Sequence, residues 1–397
     1  MQLRMYKYRL YPSGKQKERI INSLKICKVI YNELLALSID AYKFGKVSIS
    51  GFDFNKYLTG KYPEIHSQSK QNVSDRVHKA FANFFRRVKD TSCKDKGFPR
   101  FKSRVNSITF PQSGFKLISH KMLQLSKIGN VPVVLHRIPK GKIKTLTIKQ
   151  NKPRQWFAIF ACELPDSKCV HPFPQNSMGV DVNSKDNFCY LSNATDRIII
   201  DNPKYLVKSE KRLKLLQRRL SRKVKGSTNR RKAKFRLTKL HLKITNQRND
   251  FLHKLSYRIT QSNALIAVED LDITSMINKS YNAKFIADAS WGTFINMLSY
   301  KAVICGGQVL KNPKTRGSSH RCSKCGFYVE DMPMTRKIFT CPKCGLVCHR
   351  DFNASQNHLK DTVGLTGITT PVDIEPLQRK SSVASSVVEA GTTFDKS

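Results

Sequence analysis

Four cysteines spaced Cys322-x2-Cys325-x15-Cys341-x2-Cys344 leave the segment around them very few ways to fold. Two Cys-x2-Cys knuckles at this separation close a tetrahedral Zn2+ site. Four thiolate ligands leave no position open for water, so the predicted ion is structural. The other seven cysteines (Cys27, Cys93, Cys162, Cys169, Cys189, Cys305 and Cys348) are scattered, as suits reduced thiols. Cys348 and His349 lie near enough to compete as ligands, but the paired knuckles rank above them. Six residues after Cys344 comes Arg350-Asp351-Phe352-Asn353-Ala354, which puts a carboxylate at the start of a predicted helix.

Charge says what kind of partner such a chain meets. Lys and Arg number 72 against 28 Asp and Glu, a net +44 over 397 residues. An excess of this size fits a polyanion, because each phosphate neutralised releases counterions. A ribosomal-type structural protein or a membrane-surface protein would also be basic. No apolar run approaches the ~20 residues that cross a bilayer. Met1-Gln2-Leu3-Arg4 does not open a secretory signal. The expectation is a soluble protein with no membrane partner, cytoplasmic and, in a prokaryotic host, nucleoid-associated.

The charge is concentrated at 204–258, with twenty Lys and Arg and only two acids, Glu210 and Asp250. Leu213, Leu216 and Leu220 mark one helix. Leu240, Ile244, Phe251, Leu255 and Ile259 mark a second, with Gly226-Ser227 between them. The pattern predicts a basic helical hairpin over 204–260. A charge run is ordinarily a solvated face, but charges of one sign repel one another unless a polyanion is present. Arg218, Arg219, Arg222, Arg230, Arg231 and Arg248 are therefore candidate nucleic-acid contacts. Gln68, Gln71 and Asn72 share one face of a helix predicted from Ser67 to Val88. Amides on such a face can read adenine in a major groove or simply meet solvent.

Elsewhere the periodicity is legible. Tyr6, Tyr8 and Leu10 alternate with Lys7 and Arg9, a half-buried strand that Pro12 ends. Ser13-x2-Gln16 has the form of a capping box, and Ile20, Leu24, Cys27, Tyr31 and Leu34 follow at helical spacing. Short strands around Phe110, 122–125, 131–136, 144–149 and 156–162 suggest a small barrel. After a boundary near Asn176, strands at 178–182, 188–192 and 197–201 open an RNase H-like sheet, and Ala264–Val268 supplies a further buried strand. From Gly364 the chain is Ser, Thr and Val-rich and is expected to be a disordered tail.

Three acids stand out in this frame. Asp181 lies inside an apolar strand, Glu269 ends another, and Asp351 begins a helix. A carboxylate among apolar residues costs several kcal/mol unless paired or metal-bound. Convergence of the three would hold two Mg2+ or Mn2+ ions for phosphodiester hydrolysis. Taken singly, each has a structural alternative: Asp351 as a helix-dipole acid, Glu269 paired with the basic hairpin, Asp181 capping a turn.

In this order the motifs resemble the TnpB family, RNA-guided DNA endonucleases encoded by insertion sequences and regarded as ancestral to type V CRISPR effectors. The resemblance spans nearly the whole chain. It rests on Tyr6-Lys-Tyr-Arg-Leu-Tyr-Pro12, Gly97-Phe-Pro-Arg-Phe-Lys102, Ser227-x2-Arg230, Asn246-Gln-Arg248, Val268-Glu-Asp-Leu271, the four cysteines and Arg350-Asp-Phe-Asn-Ala354. It implies a multidomain α+β protein. An OB-like wedge β-barrel would occupy 1–12 and 91–170, interrupted by a helical recognition insert at 13–90. An RNase H-like (RuvC) α/β domain would span 176–363, with a zinc ribbon inserted at 314–349 and the tail at 364–397. It further implies that Asp181, Glu269 and Asp351 bind Mg2+, and that the partners are a guide RNA derived from the mobile element and double-stranded target DNA. A short motif flanking the target would be read by the protein. One position departs from the family: Asn183 stands where Gly usually follows the first acidic motif.

Three rivals remain. A DNA-strand transposase would need a His-hydrophobic-His site with Tyr, or acids in D-D-E order, whereas these come as D-E-D. A guided binding protein with weak or no cleavage, or a transposition accessory protein, would not need all three acids. An RNA-only structural protein would have no use for carboxylates in apolar strands.

Overall fold

Alternation along Gln2–Leu10 produces the first strand, β1, which buries Tyr6, Tyr8 and Leu10. Its other face turns Lys7 and Arg9 onto the Phe157 ring, at 4.3 and 5.1 Å from the centroid. These features come from a computed structural model that describes residues 2–45, 49–93, 96–151, 155–165, 169–279, 282–312, 317–333, 335–366 and 388–389. The chain separates into two units, Met1–Asp166 with Val383–Ser397, and Ser167–Ser382. Among the described residues no helix is long and apolar enough to cross a membrane.

In the first unit, helices α1 (Gly14–Gly45), α2 (Gly51–Tyr57) and α3 (Ser67–Lys89) follow β1. The expected Ser13/Gln16 capping box starts α1: Ser13 Oγ accepts from the Gln16 amide and Gln16 Oε1 from the Ser13 amide. Helix α2 was not foreseen; Ser50 and Asp53 cap it reciprocally. On α3, Val73 and Val77 are buried, while Phe81, Phe84 and Phe85 are half-buried and cluster against Phe98.

The strands that follow are β2 (Ser107–Pro111), β3 (Phe115–Ser119), β4 (Met122–Leu125), β5 (Gly129–Val134), β6 (Lys142–Asn151) and β7 (Gln155–Leu164). They pair in the order β2-β6-β7-β1-β5-β4-β3. Strands β2 and β3 end this path and do not pair with each other among the described residues. The segments expected to close a barrel therefore form a curled sheet.

The second unit is built on a five-stranded sheet, and its first three strands lie within a residue of their predicted positions. They are β8 (Ser177–Val182), β9 (Asn187–Ser192) and β10 (Arg197–Asp201). Two long helices come next, α4 (Tyr205–Ser221) and α5 (Thr228–Ser262). Strand β11 (Leu265–Glu269) leads to α6 (Ile273–Lys279), α7 (Ala283–Ala289), α8 (Trp291–Ile304) and β12 (Gln308–Asn312). A hairpin of β13 (Ile338–Thr340) and β14 (Val347–His349) runs directly into α9 (Arg350–Thr366).

Sheet order is β10-β9-β8-β11-β12; β10, β9 and β8 are antiparallel, whereas β11 runs parallel to β8 and β12. Alternation then divides each strand between two faces. Met178, Val180, Ile266 and Val268 enter the core shared with α5 and α8, where Phe188 meets Phe251 and Phe294 edge-on at 5.1 Å each. Gly179, Asp181, Ala267 and Glu269 fall on the opposite face. Helix α9 covers that face, so closely that a Cβ on Gly179 would lie 1.9 Å from the Ser355 carbonyl oxygen.

Most of the segment expected to be a disordered tail lies outside the described residues. Within it, α9 continues to Thr366, and the two-residue strand β15 (Val388–Glu389) pairs parallel with Met5 and Tyr6 of β1.

Candidate metal centres

The two cysteine knuckles repeat one local design. In each, the residue after the second cysteine is a glycine with positive φ, Gly326 at 76° and Gly345 at 69°, a conformation that costs other residues about 1 kcal/mol or more. The turn lets the Gly326 amide donate to the Cys322 carbonyl and the Gly345 amide to the Cys341 carbonyl, at 2.9 and 3.0 Å. It also brings the thiols together. Cys322 Sγ lies 3.6 Å from Cys344 Sγ and Cys325 Sγ lies 3.5 Å from Cys341 Sγ, and all four sulfurs are within 4.8 Å of one another. Sulfurs of a tetrahedral zinc site with ~2.3 Å bonds stand roughly 3.8 Å apart, so the four thiols fit Zn2+. Burial resists ionisation of Cys341, yet the Cys344 and Lys343 amides and the neighbouring thiols carry its pKa down to about 7.

Cys348 is outside this cluster, buried in β14. His349 is turned away as well. Its ring stacks on Tyr190 at 4.8 Å, and its Nδ1 accepts from the Asp351 amide at the start of α9. The first knuckle docks on α9 through amides: Asn353 accepts from the Ser323 amide at 2.8 Å and donates to the Arg321 carbonyl at 2.6 Å. Asn357 donates to the same carbonyl at 2.6 Å.

The second cluster is assembled from distant segments. Pairing of Val268 with Val180 brings the ends of β11 and β8 side by side, and with them Glu269 and Asp181. Ligand atoms of Asp181, Glu269 and His358 lie within 4.8 Å of one another. Burial raises the pKa of Asp181, His358 opposes this, and the charge of Asp351 adds to it. Burial lifts Glu269 to about 7, with Asp181 contributing. Carboxylates held this way are short of positive charge, and an oxygen-rich donor set suits a hard divalent cation.

Asp181 and Glu269 thus belong to this cluster, and Asp351 stands close enough for its charge to act on Asp181. Asp351 Oδ2 accepts from Asn183 Nδ2 at 3.2 Å, and its Oδ1 lies 3.8 Å from Arg350 Nε. Asn183, the departure from the family's glycine, is the residue that holds it. His358 was missed in the sequence although a signal existed. It follows Asp351 by seven residues, so Asp351, Ser355 and His358 share one face of α9.

Of the candidate nucleic-acid residues, three have structural work. Gln68 Oε1 accepts from the Ser113 amide and hydroxyl, at 3.0 and 2.8 Å. Arg230 donates to the Leu220 and Lys223 carbonyls at the end of α4. Arg248 forms an ion pair with buried Asp288, which also accepts from the Leu206 amide at the start of α4. Asp288 therefore ties α4, α5 and α7 together, a role invisible in sequence. Arg218, Arg219, Arg222, Arg231 and Gln71 are exposed, Arg231 also reaching Thr228 Oγ1, and Asn72 is half-buried on α3.

Residues 160–280 match the family model OrfB_IS605, described as "Probable transposase". Residues 291–358 match "Cas12f1-like, TNB domain", and residues 1–46 the "Helix-turn-helix domain" of OrfB_IS605. That last segment here is one strand and one long helix. A protein of Streptomyces pristinaespiralis named "Putative RNA-guided DNA endonuclease" is 29% identical over 96% of this chain and 93% of its own length. InsQ of Escherichia coli K12, with the same descriptor, is 29% identical over 90% of this chain and 92% of its own. The "TnpB-like protein L79" of Acanthamoeba polyphaga mimivirus is 26% identical over 56% of this chain and 44% of its own. Among solved structures, the mini-RNA-guided endonuclease CRISPR-Cas phi3 shares the fold at a TM-score of 0.52 and 11% identity, covering 91% of this chain and 92% of that one. With models matched along three successive segments and relatives aligned nearly end to end, the chain is similar to the OrfB_IS605 and TnpB-like proteins.

Proposed function

We propose that this protein is an RNA-guided DNA endonuclease of a mobile element, which hydrolyses a phosphodiester of target DNA next to a short flanking motif. One observation carries the reading: Asp181 and Glu269 sit side by side on neighbouring parallel strands, both pressed toward the protonated form, in a chain whose near-full-length relatives bear that name. On this reading the second unit is a RuvC-type domain. Asp181, Glu269 and Asp351 bind Mg2+ or Mn2+, and the four cysteines bind a structural Zn2+. A divalent cation there supplies Lewis-acid stabilisation of the phosphate oxygens. The chain's own residues do the rest. The two strand ends fix the carboxylates, α9 shields them from bulk water on one side, and Arg218, Arg219, Arg222 and Arg231 offer charge to a phosphate backbone. Sequence specificity would come from base pairing between the guide RNA and one DNA strand. The first unit, with its helical insert at 13–90, would be the wedge and recognition part that reads the flanking motif.

A second reading, a guided DNA-binding protein with weak cleavage, draws on the hold of Asn183 on Asp351. One experiment separates the two. The protein is purified from cells carrying the native locus, its bound RNA is sequenced, and the complex is assayed on matching DNA with Mg2+. Recovery of a discrete RNA from the locus and cleavage that Asp181→Ala abolishes are expected. A discrete RNA with tight binding but no cut would establish the second reading, and no specific RNA would remove both.

A further inference from the structure

Behind the paired carboxylates runs a chain of polar side chains that starts in the zinc ribbon. Arg321, next to Cys322, donates through Nη2 to Asp361 Oδ2. Asn312, at the end of β12, donates through Nδ2 to the same oxygen at 3.1 Å. That Nδ2 also lies 3.3 Å from His358 Nδ1, and His358 Nε2, which has no hydrogen-bond partner among the described residues, faces Asp181 Oδ1 at 3.5 Å. Asn312 and His358 are fully buried.

The chemistry of these groups fixes the direction of every bond. A guanidinium only donates and a carboxylate only accepts, so Asp361 obliges Asn312 to present its NH2 rather than its carbonyl. The second hydrogen of that NH2 faces Nδ1 of His358, which must therefore accept. A neutral imidazole has one N–H, and here it stands on Nε2, facing the carboxylate. We propose that His358 is a positioning residue whose Nε2–H faces the Asp181 carboxylate and steers it by charge, in a tautomer fixed by Asn312, Asp361 and Arg321, so that the zinc ribbon sets the geometry of the acidic centre. His358 thereby stands behind the centre and is not a ligand in it. Steered from one side, Asp181 keeps its remaining lone pairs turned toward a cation. The inference rests on the metal-centre reading above, but its first test needs no divalent cation.

The full-length protein would be labelled with 15N-histidine, ten residues in all, and His358 assigned from its loss in His358→Gln. Long-range 1H–15N correlation without added divalent cation should show His358 protonated on Nε2 alone, and the same proton should persist with Mg2+ in excess. An Nδ1-protonated ring, or loss of the Nε2 proton on adding Mg2+, would overturn the proposal in favour of direct ligation. Mn2+ affinity, read by electron paramagnetic resonance, gives the second arm. His358→Leu should bind Mn2+ about 10–100-fold more weakly, the usual cost of losing a partner behind a metal ligand, and His358→Gln, which keeps an N–H, should recover most of that loss. Arg321→Gln, at the far end and away from the core of the centre, should weaken binding about tenfold with zinc still at one per chain. Equal affinities in wild type and His358→Leu would overturn the positioning role, and an unchanged Arg321→Gln would cut the ribbon out of it. Wild-type protein that binds no Mn2+ would instead strike the metal-centre reading, leaving the tautomer to be decided by the first arm.

Discussion

The two candidate metal centres of this protein are built by opposite routes. The cysteine cluster comes from twenty-three consecutive positions, 322–344, folded by two identical turns whose glycines supply the needed positive φ. The acidic cluster draws Asp181, Glu269 and His358 from β8, β11 and α9, and only the packing of the sheet under α9 brings them together. A site made by local turns survives if its own residues are intact. One made by packing depends on everything that seats its helix, and here the ribbon is part of that seat. Damage should therefore pass from the ribbon to the acids and not the other way.

The largest effect tests this asymmetry directly. Cys322→Ser should remove zinc from the protein, with a loss of local folding free energy on the order of 10 kcal/mol, and should also weaken Mn2+ binding at the acids. Metal analysis together with a Mn2+ titration checks both, and retained Mn2+ affinity in zinc-free protein would show the centres to be independent. Glu269→Gln goes the opposite way. It should lower cleavage on the order of 10^3-fold, several kcal/mol of lost transition-state stabilisation, while zinc stays at one per chain and guide RNA still copurifies.

Gly179→Ala strikes the packing itself. The added methyl would enter the Ser355 carbonyl, so α9 must lift from β8. Overpacking of this kind costs about 1–3 kcal/mol, readable in the denaturation midpoint, with cleavage falling further than stability alone explains. An alanine tolerated with full stability and activity would show that α9 is not held where the contact puts it. The smallest change is Asn183→Gly, which releases Asp351 from the 3.2 Å hydrogen bond. Cleavage should rise by a few-fold if that bond holds Asp351 back from the centre, and single-turnover rates decide it; a fall would mean that Asn183 orients Asp351 for work.

What the sequence discloses follows the same contrast. The cysteine knuckles, the β1 alternation and the Ser13/Gln16 cap are local patterns, and each is found where the pattern places it. Asp181 and Glu269 are visible because carboxylates in apolar strands are anomalous. His358 is not, because a histidine on a helix is ordinary until its helix is known to cover those strands. Arg230 and Arg248 look like phosphate contacts by charge alone, and only tertiary structure discloses that they are spent on the α4 terminus and on Asp288. The curled sheet of the first unit was expected to close because periodicity reports strands, not which edges meet.

The close seat of α9 on Gly179 has a consequence in time. Strand β8 is made early and α9 late, 168 positions apart at the pair Asn183 and Asp351. While the chain is still being synthesised, Asp181 and Glu269 can form their strands, but nothing covers the face between them until residues beyond 350 have left the ribosome. The acidic centre is therefore among the last parts of this unit to be finished, and a truncated product ending before α9 would carry the basic helices without it. Such fragments would retain charge for nucleic acid and lack the centre, binders made by interruption.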